Sequence, residues 1–233
     1  MPFSWKPQGD RFLFQGLEGM VAFTTTRGCG ISSGEVDLTD FRELVERCGL
    51  HPAVVAGMEQ VHGGSVRVSP ERKDTVVLGC DGLVTHRPGV ALVMRSADCL
   101  PLIVYDPGHG ALGLGHAGWR GLRARLPVQL VHAFRSAFGS SALLEIGIGP
   151  GIGPCCYEVG SEFEPWFPGH LEMRAGRRFL DLGAVARAQL TQAGVPAESI
   201  YQSPWCTSCT NDCFSHRREG PACGRMMTCA MIL

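Results

Sequence analysis

The sequence predicts an α+β fold in which mixed β-sheets are flanked by a few helices. Many short runs are rich in β-branched and apolar residues and are bounded by Gly, Pro or Asp, as strands are. Fewer, longer stretches carry a helical repeat of apolar residues. The two kinds do not alternate regularly, as they would in a doubly wound parallel sheet.

In chain order, the strand-like runs are residues 19–26, 65–68, 75–78, 89–95, 101–105, 111–115, 143–148 and 224–232. Helices are expected at 38–48, 118–138 and 181–193. In the second helix Leu122, Leu126, Leu130 and Phe134 recur at four-residue spacing, and Val131, Ala133 and Ala137 widen the stripe. Pro127 falls inside that run, so it either kinks the helix or starts a new one. Asp181 is placed to cap the third helix, and Gly194 and Pro196 close it. Residues 165–176 read as a surface excursion. With no repeat, low-complexity segment or linker, residues 1–233 are expected to form one domain.

The composition excludes some classes of function. Of 233 residues, 45% are hydrophobic and 18% charged, too apolar for a disordered chain. A net charge of -1 offers no basic excess for phosphates along a duplex, so nucleic acid is not the expected partner. No apolar run approaches the ~18 residues of a membrane span. Residues 1–10 lack the basic-then-apolar order of a signal peptide, so a cytoplasmic location is expected. In that setting the 11 cysteines read as buried small hydrophobes, metal ligands or nucleophiles rather than disulfides.

Three polar segments place a reactive side chain beside Gly or at the end of an apolar strand. They are Gln60-Val61-His62-Gly63, Ser96-Ala97-Asp98-Cys99 and Gly115-His116-Ala117-Gly118-Trp119-Arg120-Gly121. Two imidazoles and a thiolate suit zinc, and a catalytic zinc keeps three protein ligands and one open position. The three residues lie far apart in sequence, so only the fold can unite them. Without metal, Cys99 could instead be a nucleophile paired with His116 or His62. Arg27 follows a strand, and its planar fork suits phosphate oxygens. The Gly- and Pro-rich loop 147–159, with Cys155, is expected to wall a pocket; it lacks the order of a P-loop.

These motifs, with Ile148-Gly149-Pro150-Gly151-Ile152-Gly153-Pro154-Cys155-Cys156-Tyr157-Glu158-Val159 and Phe214-Ser215-His216-Arg217-Arg218, resemble the bacterial YfiH-type laccase-domain family. The resemblance runs over residues 23–233. It implies a fold like that of a cytotoxic-necrotizing-factor-type toxin deamidase. It implies zinc on His62, Cys99 and His116, which would make these three and Arg27 the catalytic set. It further implies phosphorolysis of adenosine, inosine, guanosine and methylthioadenosine, with adenosine deamination. Arg27, Gln60, Cys155, Ser215 and Arg217 are then expected to contact purine nucleoside and phosphate. His216 stands where the family has Tyr, and the stretch 31–40 is shorter than the family's usual insert.

Two other readings stay open. One is a copper-dependent polyphenol oxidase, although multicopper centres need many more histidines than the 8 present and no His-x-His pair occurs. The other is a Cys–His hydrolase or amidase acting on cell-wall precursors. The spacing Cys206-x2-Cys209-x3-Cys213-x9-Cys223 could serve a second, structural zinc or a redox pair, but it matches no standard finger. Free buried thiols are the simpler expectation.

Overall fold

Near-continuous apolar runs along the central strands give each of them two buried faces, and that requires layers on both sides. The computed structural model shows those layers. It describes residues 4–16, 18–31, 37–70, 72–139 and 143–233; residues 32–36, the middle of the short 31–40 stretch, lie outside them.

The strands are β1 (Ser4–Gln8), β2 (Arg11–Gln15), β3 (Met20–Thr25), β4 (Val54–Met58), β5 (Val66–Val68), β6 (Thr75–Val77), β7 (Gly82–Thr85), β8 (Val90–Ser96), β9 (Leu100–Asp106), β10 (Ala111–Ala117), β11 (Glu145–Ile148), β12 (Glu158–Val159), β13 (Leu171–Arg174), β14 (Arg177–Leu180), β15 (Ile200–Gln202) and β16 (Met226–Ile232). The helices are α1 (Leu38–Arg47), α2 (Trp119–Arg123), α3 (Leu126–Phe138), α4 (Leu182–Gln192) and the single turn α5 (His216–Glu219). One sheet has the order β1-β2-β3-β16-β8-β4-β6, and a second has β15-β11-β9-β10-β7-β5. Both mix parallel and antiparallel pairs. A small third sheet, β12-β14-β13, stands apart.

The two large sheets pack face to face. Leu92 and Met94 of β8 meet Ile103 and Tyr105 of β9 and Leu112 and Leu114 of β10 in the core between them. The alternate residues point outward. Ala91 and Val93 face Phe41, Leu44 and Val45 of α1, and Leu102 and Val104 face Leu130 and Phe134 of α3. The order of layers is therefore helix, sheet, sheet, helix, and the expected α+β class holds.

Several elements depart from the sequence reading. The 118–138 helix is two helices, because Arg125 adopts a left-handed φ of 60° and Pro127 lies in the first turn of α3, where its missing N–H costs nothing. Strands β1 and β2 form an edge hairpin that the sequence reading missed; Pro7 breaks the strand pattern, and an edge strand tolerates it. Residues 165–176 are more than an excursion: β13 turns at Ala175-Gly176, both with positive φ, into β14. Strands β4, β7 and β15 were also unread; each is short, and β4 and β7 each contain a glycine that weakens the pattern.

Candidate metal centre

Two of the chain crossings between the two large sheets deliver expected donors, and a strand of the second sheet delivers the third. The β8–β9 turn crosses from the first sheet to the second and carries Cys99. The β4–β5 loop makes a similar crossing and carries His62. His116 lies near the end of β10, paired with Pro101 of β9, just beyond Cys99. A donor atom from each of the three lies within 4.8 Å of the others. The His62 and His116 rings sit edge to face, 4.8 Å apart.

Asp81, just before β7, organises this group. Its fully buried carboxylate accepts from His116 Nδ1 at 3.0 Å, from the His62 N–H at 2.9 Å and from the Gly63 N–H at 2.6 Å. With Nδ1 committed, the Nε2 of His116 is the nitrogen left for Cys99 or an ion. Burial pushes the Cys99 thiol up, but the charge and hydrogen bonds of His116 and then His62 outweigh it and bring it down to about 6. Burial pushes His116 down, and the Cys99 sulfur and Asp81 carry it up to about 9. Without metal, these shifts favour a thiolate facing an imidazolium.

The surrounding backbone is strained and pinned. Gln60, His62 and Asp98 all have φ values in the left-handed region, at 65°, 60° and 89°. Such conformations cost on the order of 1 kcal/mol each and persist only where neighbours enforce them. The Gln60 amide donates to the Arg95 carbonyl at 2.6 Å and accepts from the Arg95 N–H at 2.8 Å. Asp81 holds His62. The Asp98 carboxylate accepts from Thr207 Oγ1 at 2.6 Å and from the Arg217 N–H at 2.7 Å. Gly118 is required for closeness: a Cβ there would lie 2.6 Å from Cys99 Sγ.

The three donors open into a cavity of about 700 Å³. Its wall is rich in cations, with Arg95, Arg120, Arg217 and Arg225, and carries the aromatic rings of Trp119 and Tyr157. Arg217 lies over the Tyr157 ring at 5.0 Å. Of the residues expected to meet substrate, Gln60 and Arg217 line this cavity, and so does His216. Three do not. Arg27 lies over Phe214 at 4.7 Å and is tied to Glu219 at 2.5 Å, and it does not line the cavity. Cys155 turns toward other cysteines. Ser215 is fully buried and caps α5 by accepting from the Arg218 N–H. The set Cys206, Cys209, Cys213 and Cys223 is not united either, because Cys213 and Cys223 are buried away from the first two.

The comparisons with known proteins agree with this fold. The family model described as multi-copper polyphenol oxidoreductase laccase matches residues 33–233. The chain belongs to this family. Among its laccase-family relatives, the purine nucleoside phosphorylase YlmD of Geobacillus stearothermophilus is 37% identical over 188 residues, covering 72% of this chain and 69% of that protein. The adenosine deaminase RL5 of an unknown prokaryotic organism is 31% identical over 91% of this chain and 94% of its own length. The crystal structure of YlmD superposes with a TM-score of 0.88 at 31% identity, over 99% of both chains. That of the hypothetical protein YfiH of Bacillus licheniformis gives 0.88 at 26% identity, over 100% of this chain and 99% of that one.

The laccase-family name implies copper, and the donor set tests it. Two imidazoles and one thiolate, one imidazole braced by a carboxylate, fit a single zinc ion with an open position. A blue-copper centre adds a weak axial Met, and among the described residues no Met lines the cavity. A multicopper cluster needs many imidazoles, and among the described residues the donor cluster contains two. Sequence reading missed Asp81, which looks like part of a Cys-Asp-Gly turn, and Arg95, Arg120 and Arg225 of the wall, which are scattered along the chain.

Proposed function

We propose that this chain is a zinc-dependent purine nucleoside phosphorylase with adenosine deaminase activity, acting on adenosine, inosine, guanosine and methylthioadenosine. One observation carries the reading: His62, Cys99 and His116 meet at the floor of a cavity walled by four arginines and two aromatic rings. The names of the relatives support it.

In phosphorolysis the bond from the anomeric carbon to the purine nitrogen breaks, and a bond from that carbon to a phosphate oxygen forms. Arg95, Arg120, Arg217 and Arg225 supply the positive field that concentrates and orients phosphate. Trp119 and Tyr157 offer faces for the purine ring, and Trp119 is itself held flat against Trp166, with centroids 5.4 Å apart. His62, Cys99 and His116 would hold zinc, which supplies a Lewis acid when bound. Asp81 fixes the tautomer of His116 and the backbone of His62, so the donors need little reorganisation.

The test is release of free base from inosine and adenosine, with and without phosphate, by zinc-analysed protein and its Cys99→Ala variant. Phosphate-dependent release that disappears with the metal in the variant is the expected result. No release from any purine nucleoside by zinc-loaded protein overturns the reading.

The lowered Cys99 thiol beside His116 favours one alternative, a metal-free Cys–His hydrolase or amidase. Its signature is activity toward amides that survives chelation and is lost on alkylation of Cys99.

A further inference from the structure

Four of the cysteines outside this centre form a second group of donors. Cys155 and Cys156 turn toward Cys206 and Cys209, and the four sulfurs lie within 4.8 Å of one another. Cys209 Sγ is 3.5 Å from Cys155 Sγ and 3.3 Å from Cys156 Sγ. We propose that these four cysteines form a tetrathiolate zinc site, structural in role and separate from the His62–Cys99–His116 centre.

The spacing fits a shared ion better than a disulfide. Zinc–sulfur bonds of about 2.3 Å in a tetrahedron put the sulfurs about 3.8 Å apart. A disulfide would bring one pair to about 2.05 Å. Thiolates are soft ligands, and four of them select zinc among common divalent ions. Four ligands leave no open position, so the site holds structure and does not bind substrate.

The backbone is arranged for such a site. Cys206 and Cys209 lie on one tight turn, where the N–H groups of Cys209 and Thr210 donate to the Cys206 carbonyl at 3.1 and 3.0 Å. Cys155 and Cys156 lie on a facing turn, where the N–H groups of Cys156 and Tyr157 donate to the Gly153 carbonyl at 3.1 and 3.0 Å. The Gly153 N–H points at Cys206 Sγ, 3.2 Å away, which is a donor placed for a thiolate. A Cβ on Gly153 would press to 3.3 Å against both Cys155 Sγ and Cys206 Cβ, so glycine lets the two turns close. Two guanidiniums brace the turns: Arg218 binds the Thr207 and Ser208 carbonyls at 3.0 Å, and Arg174 binds the Pro154 carbonyl. Cys155 and Cys209 are exposed, so an ion can enter from solvent.

The ion would clamp two segments that shape the cavity. The first carries Ile152 and Tyr157 on the cavity wall. The second carries Thr207, whose hydroxyl holds Asp98 beside Cys99. On binding, each thiol gives up its proton, so zinc uptake is accompanied by acid release.

The test is metal analysis of the full chain and its variants after zinc loading and exhaustive removal of loose ions. Wild type should hold about two zinc ions per chain, and Cys99→Ala about one, with the four cysteines shielded from a thiol reagent until chelator is added. Cobalt loaded into Cys99→Ala should show sulfur-to-metal charge transfer of four-thiolate intensity. Adding Cys156→Ser and Cys209→Ser to Cys99→Ala should remove the remaining ion and that absorption. A Cys99→Ala chain that retains no metal overturns the proposal, whatever the nucleoside assay shows. Retention of the ion after loss of both sulfurs overturns it too, and so does a disulfide among the four in protein prepared without reductant.

Discussion

At the scale of single residues, the centre depends on close approach and on one carboxylate. Gly118→Ala would push a methyl group against Cys99 Sγ, because the Cβ position lies only 2.6 Å away. The expected outcome is a folded protein with zinc affinity lowered roughly tenfold or more, checked by competition with a chromophoric chelator. Asp81→Asn keeps the shape but removes the charge that braces His116 and the N–H groups of His62 and Gly63. Zinc affinity should fall by about 10–100-fold, with far-ultraviolet circular dichroism unchanged. An unaltered affinity would show that the carboxylate is not a support for the metal ligands. The donors were legible in the sequence because each sits in a short motif of small residues. Asp81 was not, because a buried second partner carries no spacing signal. Arg27 illustrates the reverse: a strand followed by Arg invites an anion site, but Glu219 takes its charge.

At the scale of elements, one ion pair adds to the apolar packing that holds α1 on the sheet. Arg42 binds Asp74 through Nε and a second nitrogen, each at 2.8 Å, and Asp74 also accepts the Val55 N–H of β4 at 2.9 Å. The Arg42 hydrogen bond, opposed by burial and aided by the Val55 N–H, holds the Asp74 carboxyl below its usual range. A lowered carboxylate adds stability above its ordinary pKa of about 4 and loses it as pH falls through the folded value. Asp74→Asn should therefore cost up to about 1 kcal/mol near neutral pH and progressively less toward pH 3, read from urea melts at several pH values. A cost that stays constant with pH would assign the effect to packing alone. Strands with a clear boundary, such as β8, β9 and β10, were readable because both faces are apolar. The β1–β2 hairpin was not, since Pro7 and exposed residues on β1 hide its alternation. The split between α2 and α3 was legible as a choice at Pro127, and the left-handed Arg125 decided it.

At the scale of the whole molecule, the α+β class was legible from composition and run lengths, but the pairing of the sheets was not. The β8–β9 and β4–β5 connections cross between sheets, and local patterns do not record which sheet a strand joins. That arrangement ties metal binding to the pairing of the sheets, since His62 and Cys99 lie on connections between them and His116 on a strand of the second. Metal that binds only the native state stabilises it by mass action, by about 2.7 kcal/mol at a hundred times its Kd. Zinc added to chelated protein should raise the Tm in a concentration-dependent way, and Cys99→Ala should remove part of that rise. Identical melts for wild type and Cys99→Ala at every zinc concentration would separate the centre from stability.

The place of β16 has a consequence for how the molecule is assembled. This strand lies between β3 and β8, and Thr228 shares a hydrogen bond with Thr24 across 204 positions of chain. The centre of the larger sheet thus waits on a very long loop closure, which slows folding and leaves β3 and β8 with bare edges meanwhile. Refolding yield should depend steeply on protein concentration, and a nick or truncation just ahead of Met226 should make the chain self-associate.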